Sequence, residues 1–200
     1  MPKLWNETIE SHRDAVRAAI LDATASLVAD RGLAPVTMSQ IAQAAGIGRA
    51  TLYKYFPDVE AILTAWHERQ INSHLEYLSQ VRNRTVGPGQ QVESVLEAYA
   101  FLSHSGPGTA DFARLHQGPH VGLAQQHLRG FLADLLRQGA DAGRFRRDVA
   151  PDELAAFCLH ALEAASALTS RDAVLRLVKV TMTALQPPPP PHSGSGGSGS

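Results

Sequence analysis

Apolar residues recur every three or four positions along most of this chain, the repeat of a helix buried on one side. Period-2 alternation is not sustained anywhere, and no Asn-Gly or Asp-Gly pair marks a hairpin. The pattern predicts an all-α protein. Ala15, Ala18, Ala19, Leu21, Ala25 and Val28 define a first helix over about 11–31. Gly32 is its expected stop, and Pro35 bars its continuation. Thr37-Met38-Ser39-Gln40 is a capping box, with threonine at the N-cap and glutamine three residues on, just ahead of Ile41 and Ala42. The short helix that it opens ends at Gly46. A third helix follows from Gly48, anchored by Leu52 and Phe56.

Pro57 breaks that helix and Asp58 is placed to cap a fourth, running to about Arg84 with Val59, Ile62, Leu63, Trp66, Ile71, Leu75 and Leu78 inward. At ~1.5 Å per residue it spans about 40 Å, enough to connect two halves of a molecule. Glycine–proline punctuation then cuts the chain into helical segments at about 89–104, 108–117, 120–143, 151–169 and 171–185. About nine helices are expected in all. Residues 187–191 are five prolines, followed by HSGSGGSGS, a stiff and then flexible tail with nothing to bury. The expected organisation is a three-helix domain over 1–57, a larger helical domain over 58–186 and a tail over 187–200.

Composition adds limits rather than a function. Of 200 residues, 44% are hydrophobic and 18% charged, which supports a packed core; the formal net charge of −1 does not point to a polyanionic partner. Residues 1–60 hold six Lys/Arg against seven Asp/Glu, so any affinity for nucleic acid has to come from a local patch. Cys158 is the only cysteine, so no intrachain disulfide is possible, which fits a reducing compartment. No apolar run approaches the ~18 residues that span a bilayer, and the first residues lack an apolar signal core. A cytoplasmic protein with no membrane partner is the expectation.

The arrangement that carries chemistry lies at 37–56. Two short helices joined through Gly46-Ile47-Gly48 form a helix-turn-helix, a unit whose second helix enters the major groove of DNA while the first lies across the backbone. Ser39 and Gln40, with the backbone N–H groups at the start of the first of the two, suit phosphate. Arg49 suits phosphate or a guanine edge, and Ala50 permits close approach to a thymine methyl. Thr51, Tyr53, Lys54 and Tyr55 can hold backbone oxygens, and Arg13 and Arg17, one turn apart, can add phosphate contacts. A plain surface helix with a polar face satisfies the same residues, so the pattern by itself leaves both possibilities open.

Residues 15–63 resemble the N-terminal domain of the TetR family of transcriptional regulators. The resemblance is carried by AILDATASLVADRGLAPVTMSQIAQAAGIGRATLYKYFPDVEAIL, above all by TMSQIAQAAGIG followed by TLYKYF, and covers about a quarter of the chain. It implies a ligand-responsive helix-turn-helix regulator, most often a repressor, acting as a homodimer on operator double-stranded DNA. By motif position it makes Thr37 and Ser39 phosphate-side residues, and Arg49, Ala50, Thr51, Tyr53, Lys54 and Tyr55 the contacts of the recognition helix. Many members carry a lysine where this chain has Val59, which removes one implied phosphate contact and implies a shallower salt dependence.

The family layout places a small-molecule pocket in the larger domain, with Trp66, Gln70, His74, Tyr99, Phe101, Phe112, His116, His120, His127 and Phe131 as candidate lining residues for a lipophilic or aromatic effector. Core packing is the plain alternative for each. The last two segments are the implied dimer face, through Ala161, Ala165, Leu168, Val174, Leu177, Val178 and Thr181; closing the protomer's own core is the alternative there. The nine histidines show no HExxH and no paired-cysteine pattern, so neither a metal nor another cofactor is expected. No recognisable nucleophile set is present, and catalysis is not expected. The competing possibilities are a constitutive DNA-binding protein without an effector and an all-helical enzyme.

Overall fold

A computed structural model describes residues 3–33, 35–105 and 119–188. Among these it is all-helical: α1 (Lys3–Arg31), α2 (Met38–Ala44), α3 (Arg49–Tyr55), α4 (Val59–Arg84), α5 (Pro88–Ser105), α6 (Pro119–Asp141), α7 (Pro151–Glu163), a 3-10 turn (Ala164–Ala167) and α8 (Arg171–Ala184). The expected segment at 108–117 lies outside the described residues.

The ends of these helices follow from local chemistry. Gly32, at φ 78°, donates its N–H to the Val28 carbonyl at 2.9 Å and closes α1. At α2 the expected capping box is present: Thr37 N–H donates to Gln40 Oε1 at 2.9 Å, and Gln40 N–H donates to Thr37 Oγ1 at 3.4 Å. Gly46, at φ 68°, ends α2. Its N–H reaches the Gln43 carbonyl at 3.2 Å, and the Ile47 N–H reaches that of Ala42 at 3.0 Å. Only a residue without a Cβ takes this left-handed turn at no cost. Asp58 Oδ1 accepts from the Ala61 N–H at 2.8 Å and starts α4.

Contacts divide the chain into two units, residues 1–75 with 107–125 and residues 76–106 with 126–200. The division falls inside α4, after Leu75. The reason is packing: Ile62, Ala65 and Trp66 of α4 join the core of the first unit. That core is built from Ile20, Leu21 and Val28 of α1, Ile41 and Ala42 of α2, and Leu52 and Phe56 at α3. Ile20, Ile41, Leu52 and Ile62 are completely buried, each contributing ~1.5–3 kcal/mol. Thr24 is buried among them and satisfies its hydroxyl on the Ile20 carbonyl at 2.8 Å.

The second unit packs α5 against α7, the 3-10 turn and α8. Val92, Val95 and Leu96 meet Leu132, Leu135, Leu136, Leu154, Cys158, Leu162, Val174 and Val178 in one core. The segment after α6 ties helix ends together. Arg147 Nε donates to the Ala140 carbonyl at 2.8 Å, at the end of α6. Arg146 Nη1 donates to the Ala184 carbonyl at 3.1 Å, at the end of α8. Cations at helix C-termini satisfy orphan carbonyls and oppose the negative end of the dipole.

Candidate nucleic-acid interface

Helix α3 is held by Leu52, completely buried, and by Phe56, the residue that ends it, whose N–H donates to the Leu52 carbonyl at 3.0 Å. With these two inward, helical geometry turns Arg49, Ala50, Tyr53 and Lys54 out, and all four are exposed. Tyr53 keeps 47% of its surface accessible. Seven residues make a helix about 10 Å long, a length that suits a groove about 12 Å wide.

Thr51 and Tyr55 differ from the rest of the expected set. Both are half-buried, and Tyr55 packs against the core of the first unit. Its ring is partly structural, because it lies three residues beyond Leu52 on a neighbouring face of a short helix.

The capping box sorts the α2 candidates. Thr37 Oγ1 donates to Gln40 Oε1 at 2.8 Å and accepts from the Gln40 N–H, so the threonine side chain is committed to the cap. Gln40 commits only its oxygen there, which leaves its Nε2 donors outside the box. Ser39 is exposed.

Charge is sharper locally than over 1–60. From Thr37 to Pro57 the sequence holds Arg49 and Lys54 and no acidic residue, a net charge of +2. Asp58 and Glu60 follow at once, and they hide this patch in any longer count. Arg13 is exposed on α1. Arg17 is exposed too, but its guanidinium lies over the Phe56 ring, 4.6 Å from the centroid. It borders a surface groove of about 470 Å³ shared with Phe56, Asp58, Glu60, Thr64 and Glu68.

Residues 20–65 match the family model described as bacterial regulatory proteins, tetR family. Over this stretch the chain is similar to the TetR family. An uncharacterized HTH-type transcriptional regulator of Mycobacterium tuberculosis is 49% identical over 51 residues, 26% of this chain and 25% of the relative. The chain thus spans about a quarter of the length of the curated relatives it matches first. Two solved structures share the fold over most of the chain. A TetR/AcrR-family regulator from Thermobifida fusca has a TM-score of 0.67 at 17% identity, covering 83% of this chain and 96% of its own. RolR in complex with the ligand resorcinol has a TM-score of 0.60 at 22% identity, covering 88% and 90%. The TetR-family likeness is thus strong in sequence at the helix-turn-helix and, beyond it, one of fold.

The candidate effector residues do not share one environment. Trp66 is 6% exposed and belongs to the core of the first unit. Its ring faces inward at the same helical spacing as Ile62, so packing claims it. Gln70 and His127 are exposed. His74 stays accessible, while the protein around it desolvates the imidazolium and lowers its pKa.

In the second unit, burial, with Glu163 nearby, pushes the Tyr99 phenol up to about 12, against a hydrogen bond with Ser103. The Arg171 guanidinium carbon lies over the Phe101 ring, 4.1 Å from the ring centroid, and that of Arg82 lies 5.2 Å from the centroid of the Phe131 ring. Two residues apart on α5, Tyr99 and Phe101 point about 200° from each other. Phe112 and His116 lie outside the described residues, as does the side chain of His120.

The dimer candidates also divide. Ala165, Val174, Val178 and Thr181 are buried within the single chain, at 0%, 0%, 3% and 1% exposure, so they close the protomer's own core. The apolar stripe visible in sequence is the inward one. Ala161, Leu168 and Leu177 are half-buried. Phe157 on α7 and Val180 on α8, at 45% and 68% exposure, are the large apolar side chains those two helices leave outside. Their signal in the sequence was an apolar residue off the main stripe.

No group of three His, Cys, Asp or Glu that could hold a metal ion occurs among the described residues. No helix among them is long and apolar enough to cross a membrane.

Proposed function

We propose that this chain is a sequence-specific DNA-binding transcriptional regulator of the bacterial cytoplasm, with α3 as its reading helix. One observation carries this. A short helix is locked by Leu52 and Phe56 behind a capped partner helix, and it presents Arg49, Ala50, Tyr53 and Lys54 outward from a stretch free of acidic residues. Arg49 and Tyr53 reach base edges, Ala50 allows close approach, and Lys54, Thr51 and Ser39 with the Gln40 amide hold phosphates. The protein acts as a homodimer that sets two reading helices about 34–36 Å apart, in successive major grooves of a near-palindrome. Phe157 and Val180 are the natural centre of the dimer face.

Residues up to α3 form the DNA-reading part, and the helices from α4 on form the effector and dimerisation part. A small lipophilic or aromatic effector releases the repressor by favouring a form with lower DNA affinity; DNA then weakens effector binding by the same factor. RolR, a structural neighbour solved with the ligand resorcinol, supports this class of ligand.

Selection of bound duplexes from a random library is the test. The wild-type chain should enrich a near-palindrome, and the Tyr53→Ala, Lys54→Ala double variant should lose affinity for it by at least tenfold with its fold intact. Unchanged affinity in that variant would sink α3 as the reading helix.

A further inference from the structure

Arg13 and Arg17 look equivalent in sequence, two arginines one turn apart on α1. The structure separates them. Only Arg17 reaches the end of α3, where its guanidinium stacks on Phe56. Phe56 is no ordinary surface ring. It is 3% exposed, it ends α3 in an extended conformation (φ −141°, ψ 132°), and its N–H closes the last turn on the Leu52 carbonyl. Three and four residues after Arg17, Ile20 and Leu21 anchor α1 in the same core. The cation is thus delivered to α3 by a helix that cannot drift from it.

The surroundings of Arg17 are wrong for a phosphate. Its groove is shared with Asp58, Glu60 and Glu68, three carboxylates against one guanidinium. A phosphate entering there meets net negative charge at close range. The π face of a ring offers the cation a partner that the carboxylates reinforce rather than oppose.

We infer that Arg17 is a positioning residue, which clamps the C-terminal end of the reading helix through Phe56 and does not bind phosphate. The DNA half of this rests on the function proposed above; the clamp itself does not. An exposed cation–π contact of this kind corresponds to about a two- to fivefold change in the equilibrium it supports.

The test uses the full chain with Arg17→Gln, which removes the cation, and Arg17→Lys, which keeps one. Amide hydrogen exchange at Phe56 should be about two- to fivefold faster in R17Q, with the Ile41 amide of α2 unchanged as internal control and R17K close to wild type. The second readout is affinity, across a range of salt, for the duplex that wild type enriches from the random library. R17Q should bind more weakly by one factor at every salt, with the slope of log affinity against log salt unchanged. A lost phosphate contact instead flattens that slope by about 0.9. Unchanged exchange at Phe56 overturns the clamp, and a flattened slope overturns the exclusion of phosphate. If wild type enriches no duplex, the proposed function fails, and the exchange result alone decides whether Arg17 holds α3.

Discussion

Replacing glycine by alanine adds one methyl group, and on α6 the same change has opposite expected signs nine residues apart. Gly130 is helical, and a Cβ built on it meets nothing within 4 Å. Alanine there should stabilise the protein by ~0.8–1 kcal/mol, the helix-propensity difference. A Cβ at Gly139 would lie 2.2 Å from Cδ2 and 2.3 Å from Cε2 of Phe145. That ring is 5% exposed in the core of the second unit, and the segment carrying it is tied to α6 by the Arg144 N–H to the Gly139 carbonyl, 2.9 Å. The ring borders a surface groove of about 430 Å³, but swinging into it would forfeit its core contacts. Overpacking costs ~1–3 kcal/mol, against the same propensity gain of ~1 kcal/mol. With the overlap this deep, the upper part of that range applies, and G139A should lose ~1–2 kcal/mol. Both sites lie in one unit, so the two variants differ by ~2–3 kcal/mol with most other terms cancelled. Urea unfolding followed by circular dichroism reads the difference as a shift in midpoint at constant slope. A G139A protein as stable as G130A would refute the placement of Phe145 against α6.

Two further outcomes follow from titrating groups that the protein desolvates. Cys158 is completely buried, and burial pushes its thiol up to about 12. The folded protein should therefore resist a thiol-specific reagent at pH 8 and react fully once unfolded; rapid labelling of the native chain would place the thiol elsewhere. His74 has its pKa lowered from 6.5 by desolvation. The unfolded chain then binds more protons than the folded one as pH falls below 6.5, so the His74 contribution to stability declines from there down to its folded pKa and is flat above. His74→Gln should remove that part of the acid-side decline, and an identical pH profile in the variant would contradict it.

Much of the local structure was legible along the chain because its causes are local. The cap at Thr37, the stop at Gly46 and the start at Asp58 each rest on side-chain and backbone groups within five residues of one another. Among the described residues, helix boundaries after residue 58 were expected within a residue or two for the same reason, apart from the 3-10 turn at 164–167, where the sequence pattern continued a helix. The inward positions Leu52 and Phe56 were legible from their spacing. The start of α1 was not: the helix begins at Lys3, about eight residues ahead of its expected start near residue 11.

What periodicity cannot say is which neighbour an apolar face meets. Val174, Val178 and Thr181 form the best stripe on α8, and a stripe reads the same whether it faces its own core or a second copy. Trp66 is an aromatic residue at helical spacing, equally suited to a pocket or a core until α1 and α2 are in place around it. Tyr99 and Phe101 are near in sequence yet meet Glu163 and Arg171 respectively.

The sequence by itself determined the helical class, the capped helix-turn-helix at 37–56 and the outward turn of Arg49, Ala50, Tyr53 and Lys54 on α3, though not the half-burial of Thr51 and Tyr55. These depend on interactions within one or two helical turns. Only the tertiary structure decided that α4 is divided between two units, that the stripe of α8 is internal, and that Arg17 stacks on Phe56 while Arg13 does not. Each of those depends on contacts between residues far apart in the chain, and no local pattern encodes the partner.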